Sequence, residues 1–336
     1  MVNKLFDPQL LSQDGGVLQS CCILFCALIL ARFAPIPRDL QPLLWFNRIA
    51  VLIAAKVNHP ERAVSQQLTA GILATLILVV PSGIIVSFLL GLAAYPWFFE
   101  LIILYFCLCD SAFKPVAEQI ANAIKTGNKQ HAKGLLSPWV SQNTQVLSEV
   151  GLSKTAIEKL FTTPIYGTLA TILFFAMGGA TMALVARMLR QLEHSWPTYH
   201  PHFHIFSSFV GQFNRVIFFI PTLLWHCSLA IQFGQLGLSS IVSSMRPAPG
   251  PKQQLNNHYG SYALAAKLLK IELGGPQQFM TNKGQTIRVD LPKVKAGPLP
   301  DYRHINHAIT VTQTANLFWI CLTLLLPLIW TGLRFI

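Results

Sequence analysis

Ionisable residues stand inside or at the ends of the most apolar stretches of this sequence. They are Glu100, Asp110, Arg187, Arg190, Glu193 and Arg215. Charges in such surroundings are costly, so they are candidates for function. An arginine there can hold a carboxylate or phosphate through two parallel hydrogen bonds. The simpler alternative is snorkelling to a membrane interface, which fits Arg215 least because it lies deeper in its segment.

A histidine cluster is the second candidate, formed by His194, His200, His202 and His204. In an extended chain, the side chains of His200, His202 and His204 would lie on one face and could together bind zinc or copper. The loop offers no cysteine, and Glu193 is its nearest carboxylate. A solvated loop outside the membrane is therefore the favoured interpretation, and a transporter or metal-handling protein is the less favoured one.

The composition indicates a membrane protein, and the positions of the charged residues explain the net positive charge without nucleic-acid binding. Of 336 residues, 52% are hydrophobic and 11% are charged, against about 25% charged in soluble domains. The net charge of +12 is concentrated in polar connectors, where it would attract anionic lipid or an anionic substrate. The sequence contains no nucleotide-binding, serine-hydrolase or zinc-protease motif.

Five stretches are long and apolar enough for membrane helices, which need about 20 such residues. Ile205–Phe233 is a less regular sixth candidate. The predicted fold class is therefore all-α: a polytopic helical membrane protein with about five to six transmembrane helices and amphipathic cytoplasmic helices. The five clear stretches are Val17–Phe33, Leu68–Ala94, Tyr95–Phe113, Pro164–Leu189 and Thr314–Leu333.

Basic residues predict the orientation of these helices. They concentrate in segments 35–67, 114–163 and 246–303, which the positive-inside rule places in the cytoplasm. We therefore expect a multi-pass protein of the bacterial inner membrane. Six crossings would leave both termini, and Arg187–His204, outside. Leu43–Val57 is expected to lie along the membrane surface, segment 114–163 to be helical, and segment 246–303 to form a loop with a short helix.

The order of the polar segments resembles the CobD/CbiB family, the integral-membrane adenosylcobinamide-phosphate synthases of cobalamin biosynthesis. The resemblance runs roughly from Gln41 to Ala315. Its best piece is Asn257–Gly275, NHYGSYALAAKLLKIELGG. Further matching pieces are Val57–Glu61, Ala156–Glu158 with Gly167, Gly178-Gly179, Arg187, Ile220-Pro221 and His304–Ala308.

Most acidic residues of the family pattern are replaced in this chain, while its hydrophobic frame is kept. The family's Arg-Asp-Thr is Gln142-Asn143-Thr144 here, and its Glu-Asn and following Asp are Thr162-Thr163 and Tyr166. Its Asn-Thr-Leu-Asp is Arg190-Gln-Leu-Glu193, its Asp-Asp is Asn214-Arg215, and its first His-Pro-Val is Gln41-Pro42-Leu43.

The resemblance implies a single CobD/CbiB-like membrane domain over 1–336 that forms an amide between an aminopropanol, or its phosphate, and cobyric acid. It implies ATP and Mg²⁺ as cofactors, a corrinoid substrate, other cobalamin-pathway membrane proteins as partners and no nucleic acid. The chain's own sequence supplies no evident metal ligands. The residues carried over are Glu158, Glu193 and Arg187 for catalysis, and Asn257, Gly274, Gly275, Thr144 and Arg215 for substrate binding.

The missing acids leave a second interpretation open. A family member that kept the fold and lost catalysis would serve as a membrane partner or regulator, by analogy with the AmpE-type signalling proteins. A topological conflict also remains, because ATP is cytoplasmic whereas the predicted orientation puts Arg187–His204 outside. Either the fourth and fifth spans are re-entrant, or this segment does not perform the chemistry.

Overall fold

The computed structural model describes residues 8–37, 40–198, 200–244, 258–280 and 286–333. Helices dominate, which confirms the all-α fold class. The helices are α1 (Pro8–Phe33), α2 (Pro42–Val57), α3 (Val64–Leu92), α4 (Pro96–Cys107), α5 (Phe113–Lys125), α6 (Lys129–Leu136), α7 (Glu149–Pro164), α8 (Ala170–Ser195), α9 (Ser208–Ile217), α10 (Phe219–Ile231), α11 (Gly234–Ser244), α12 (Tyr259–Leu269) and α13 (Tyr302–Leu333). The strands are β1 (Glu272–Gly274), β2 (Gln277–Met280), β3 (Thr286–Val289) and β4 (Lys293–Lys295), paired antiparallel as β1 with β4 and β2 with β3.

The apolar helices support the membrane assignment. Among the described residues, three helical runs are long and apolar enough to cross a bilayer: α3, Glu149–Ser195 and Tyr302–Leu325. The pair α9 and α10, bent by 52°, would make a fourth. Two shorter apolar helices, Leu18–Phe33 and α4, correspond to the remaining predicted spans. By length and composition alone, the described residues thus contain three to four candidate spans where about five to six were predicted.

The predicted fourth span, Pro164–Leu189, is a helical hairpin. The Arg187 guanidinium donates to the Tyr166 carbonyl at 3.4 Å, although 21 residues of straight helix would separate them by about 31 Å. The reversal occurs at Gly178 (φ −156°, ψ 28°) and Gly179 (φ 68°, ψ −167°). Gly179 adopts a conformation open almost only to glycine. The prediction of a single crossing was therefore wrong, since apolarity alone does not reveal a change of direction.

The hairpin also corrects the predicted sidedness of the loop after α8. The Trp196 indole donates to the Ala50 carbonyl at 3.1 Å, and the Asn58 side chain donates to the His202 carbonyl at 2.8 Å. These contacts hold Arg187–His204 against α2, at the same end of the bundle as segment 35–67. The loop therefore cannot lie outside if that segment lies inside. The topological conflict left two alternatives open, and the fourth span follows the re-entrant one.

The surface of the bundle agrees with a lipid environment. Along α3, Ile77, Ile84 and Phe88 are all more than half exposed, which would be costly in water. On α2, Trp45 faces outward while Ala50 is buried. This division is the one expected of a helix lying at the membrane surface.

Candidate functional site

A polar cleft lies where α7, the end of α8, the start of α12 and β2 meet. Its volume is about 100 Å³, and its lining includes Glu158, Lys159, Arg190, Glu193 and His258. A smaller space of about 50 Å³ adjoins it and shares Lys159, Arg190 and His194 with it. Because the hairpin returns the end of α8 to α7, residues some 30 positions apart line one cleft.

Arg190 is the centre of a hydrogen-bonded network in the cleft. Its Nη1 donates to Glu193 Oε2 at 2.8 Å, and its Nη2 lies 2.8 Å from His258 Nε2. The guanidinium also stacks on the Tyr166 ring, 3.9 Å from its centroid. Stacking and forked hydrogen bonding together require arginine, and lysine would supply neither geometry.

His258 is held as a neutral imidazole of one tautomer. An arginine nitrogen can only donate, so His258 Nε2 must accept and Nδ1 carries the hydrogen. That Nδ1 lies 3.2 Å from the Tyr166 hydroxyl, to which it donates. Burial, followed by the charges of Arg190, Lys159 and His194, lowers the pKa of His258 well below its usual value. A second positive charge is thereby kept away from Arg190 at neutral pH.

Asp110 and Arg187 form a buried ion pair at the edge of the adjoining space. Arg187 Nη2 lies 2.5 Å from Asp110 Oδ2, and Arg187 is only 5% exposed. Burial raises the pKa of Asp110, but the charge of Arg187, that of Lys159 and the Arg187 hydrogen bond lower it to about 2. Because its pKa is lowered, Asp110 is ionised and neutralises the charge of Arg187. It is positioned by a short 3₁₀ turn that follows α4.

Glu158 joins α7 to the strands. Its Oε1 accepts the backbone N–H of Gly274 at 2.7 Å. Gly274 has a positive φ of 72°, and Lys154 secures the same strand through Glu272 at 2.5 Å. The carboxylate of Glu158 thus orders the strand that follows α12.

The other carboxylate of the cleft, Glu193, is also paired. Besides Arg190, it accepts a hydrogen bond from Asn214 Nδ2 at 2.9 Å, and that same amide bonds to the Leu189 carbonyl. Asn214 is 1% exposed. The contact fixes α9 against the end of α8.

The structure brings together some of the predicted site residues and separates others. Glu158 and Glu193 line the cleft, Arg187 lines the adjoining space, and Gly274 is bonded to Glu158 with Gly275 beside it. Thr144 is buried outside the cleft lining, and Arg215 is exposed on α9, also outside it. Arg215 therefore lies away from the cleft, its role in substrate binding stays a prediction, and Asn257 lies outside the described residues.

Sequence reasoning missed His258, Tyr166 and Lys159 as site residues. One available signal was His258's position directly after Asn257. The replaced family positions also converge, because Gln142, Thr162, Tyr166, Arg190 and Glu193 all line the cleft or its adjoining space. Several positions at which the chain differs from the family pattern thus meet in one region.

The donor set of the cleft does not fit Mg²⁺. Within the described ranges, no group of three or more His, Cys, Asp or Glu side chains could hold a metal ion. Glu158 and Glu193 are occupied by hydrogen bonds and an ion pair of the chain itself. Mg²⁺ prefers carboxylate, water and phosphate oxygens in octahedral geometry, so we assign no step to a metal here.

The histidine loop likewise forms no metal site in the part of the chain that is described. His200 is 7% exposed, and its Nδ1 accepts the backbone N–H of His202. Burial, then the nearby His202, lowers the pKa of His200. The prediction of a solvated loop was wrong for His200, which packs against Phe203 and Phe279.

Fold and site define an all-α membrane protein with a cation-lined polar cleft beside a re-entrant hairpin. A family model described as CobD/Cbib protein matches residues 24–312. The chain belongs to the CobD/CbiB family.

Relatives with curated names agree with this assignment. The chain is 22% identical to "Cobalamin biosynthesis protein CobD" of Stutzerimonas stutzeri, over 89% of this chain and 95% of the relative. It is 27% identical to "Probable cobalamin biosynthesis protein CobD" of Thermococcus kodakarensis, over 56% and 62%. It is 22% identical to "Cobalamin biosynthesis protein CbiB" of Salmonella typhimurium, over 70% and 72%. No solved structure matches.

Proposed function

We propose that this chain acts in cobalamin biosynthesis, in the step that joins an aminopropanol, or its phosphate, to a propionate carboxylate of cobyric acid. Family membership and the names of the relatives support the pathway. One structural observation supports the polar cleft as the substrate site. The segments that bear the family resemblance meet there, through Glu158, Arg190 and His258.

The lining of the cleft suits an anionic group of the substrate. Lys159, Arg190 and His194 face the same space, and charged donors are the strong partners of carboxylates and phosphates. Arg190 would orient the anion, because Glu193, His258 and Tyr166 hold its guanidinium in place. Arg187 was expected to act in catalysis, but we propose a positioning role for it because it is paired with Asp110, is 5% exposed and does not line the cleft.

Amide formation from a carboxylate requires an activated acyl group, and ATP remains our proposed source of that activation. Corrinoid substrates and other membrane proteins of the pathway are the partners that this role requires. We further propose a multi-pass location in the bacterial inner membrane with the cleft open to the cytoplasm, because the three basic segments are expected there.

Complementation tests this proposal. The gene is introduced into a strain that lacks the synthase, and the aminopropanol-linked corrinoid product is measured by mass spectrometry. We expect the wild-type chain to restore the product and Arg190→Gln to reduce it about 100-fold or more, as for loss of a charged contact worth about 3 kcal/mol. Arg48→Gln is the matched control, since Arg48 is exposed on α2 and does not line the cleft.

A second function, that of a catalytically silent partner protein, is favoured by one observation. Glu158 and Glu193 are both engaged by the chain itself. On this alternative, complementation fails while purified protein still binds cobyric acid through Arg190. Binding that Arg190→Gln abolishes, together with absence of product, would replace the first proposal by the second. Absence of both would reject the cleft as the substrate site.

A further inference from the structure

We propose that a second cavity of about 450 Å³ binds an anionic phospholipid of the phosphatidylglycerol type. This amphipathic cavity lies between α1, α5, α13 and the π-helical turn Ile165–Leu169 that joins α7 to α8. Its volume falls within the range of small-molecule sites. The proposal goes beyond the function proposed for the cleft and does not depend on it.

The lining of the amphipathic cavity is graded in polarity. Leu28 and Ile320 belong to apolar stretches of α1 and α13, whereas Arg32 lies in the last turn of α1 and Lys114 in the first turn of α5. An amphiphile fits such a gradient with its head at the charged end and its chain along the apolar wall. Since α1 and α13 are apolar helices, the surrounding bilayer is the nearest source.

Positive charge at the polar end selects an anionic head group. Lys114 lies 3.6 Å from Glu118, and Asp110 is paired with Arg187 at 2.5 Å. Within the described ranges, no carboxylate lies within ion-pair distance of Arg32, although this residue lines the cavity. A lipid phosphate would neutralise that charge.

Polar side chains of the lining also lack partners. Gln313 Nε2, Asn316 Oδ1 and Thr163 Oγ1 are buried and have no hydrogen-bond partner among the described residues. Unmet polar atoms at membrane depth are costly. Ester oxygens of a phospholipid accept hydrogen bonds, and the glycerol head of phosphatidylglycerol donates them. A lipid of this type would therefore satisfy both the amide donor and the amide acceptor.

Native mass spectrometry of the full chain in detergent tests the proposal by titration with dioleoyl phosphatidylglycerol and dioleoyl phosphatidylcholine. We expect the first phosphatidylglycerol to bind wild-type protein at least about fivefold more tightly than phosphatidylcholine. Arg32→Gln should remove this preference, and Arg32→Lys, which keeps the charge, should retain it. Asn316→Leu should weaken phosphatidylglycerol about fivefold through loss of one hydrogen bond.

Arg48→Gln is the matched control, because Arg48 is an exposed cation of α2 that does not line the cavity. Its preference for phosphatidylglycerol should equal that of wild type. Equal losses in Arg32→Gln and Arg48→Gln would mean that only surface charge attracts the lipid, and would overturn the proposal. Equal binding of the two lipids by wild type, or unchanged binding by Asn316→Leu, would overturn it as well. Lipid binding is measured without complementation. The lipid proposal and the proposed function of the cleft can therefore be rejected independently.

Discussion

The hairpin at Gly178-Gly179 predicts that Gly179→Ala destabilises the protein. Gly179 has φ 68° and ψ −167°, a region essentially restricted to glycine, where a side chain costs about 1–3 kcal/mol. Space does not set this cost, since an added Cβ would lie 3.9 Å from Glu100 Oε1, an ordinary contact. The strain arises from the backbone alone.

A continuous helix over Glu149–Ser195 predicts the opposite sign. Within a straight helix, replacing glycine by alanine stabilises by up to about 1 kcal/mol. The free energy of unfolding is measured by titrating protein in mixed micelles with sodium dodecyl sulfate and following tryptophan fluorescence. Gly91→Ala is the matched control, because Gly91 lies in α3 with no atom within 4 Å of an added Cβ. If Gly179→Ala raised the free energy of unfolding as Gly91→Ala does, the hairpin would be refuted.

Three further predictions concern the site. Asp110→Asn should cost about 3–5 kcal/mol by leaving the Arg187 charge buried, whereas the double variant with Arg187→Gln should cost far less than the sum of the single variants; additive costs in a double-mutant cycle would contradict the ion pair. Because the pKa of His258 is lowered in the folded state, the unfolded chain binds more protons below about pH 6.5, so the free energy of unfolding should decrease as pH falls from there. His258→Gln should flatten this decrease between pH 7 and 5, and an unchanged slope would reject the assignment of a buried neutral imidazole. Millimolar Mg²⁺ should leave the midpoint of unfolding unchanged in the absence of nucleotide; a rise that Glu158→Gln abolishes would show that the carboxylates do bind the metal.

The sequence predicted those features that depend on local pattern. Helix α2 follows from the apolar run that begins at Pro42, and its exposed polar side carries Arg48 and Lys56. Helix α12 lies within segment 246–303, where a short helix was expected. Glu158 and Glu193 were identified by family resemblance, and both line the cleft. For the helices, neighbours in sequence determine the outcome, whereas the two glutamates meet in one cleft because of the hairpin.

Features that depend on a change of direction were not fixed by local pattern. Re-entrance of the fourth span was one of two open alternatives, and the backbone at Gly178-Gly179 together with the contact between Arg187 and Tyr166 establishes the reversal. His258 likewise acquires its role from Arg190, 68 residues earlier. A hydropathy profile records how apolar a segment is, but it contains no information on which distant residues that segment meets.

The return of α8 to the end of the bundle at which it entered has an electrical consequence. Because both arms of the hairpin enter and leave at that end, a charged ligand bound between Arg190 and Lys159 is never carried through the low-dielectric layer. Its binding would move no net charge along the voltage gradient. The affinity of the protein for that ligand should therefore be the same in energised and in uncoupled vesicles.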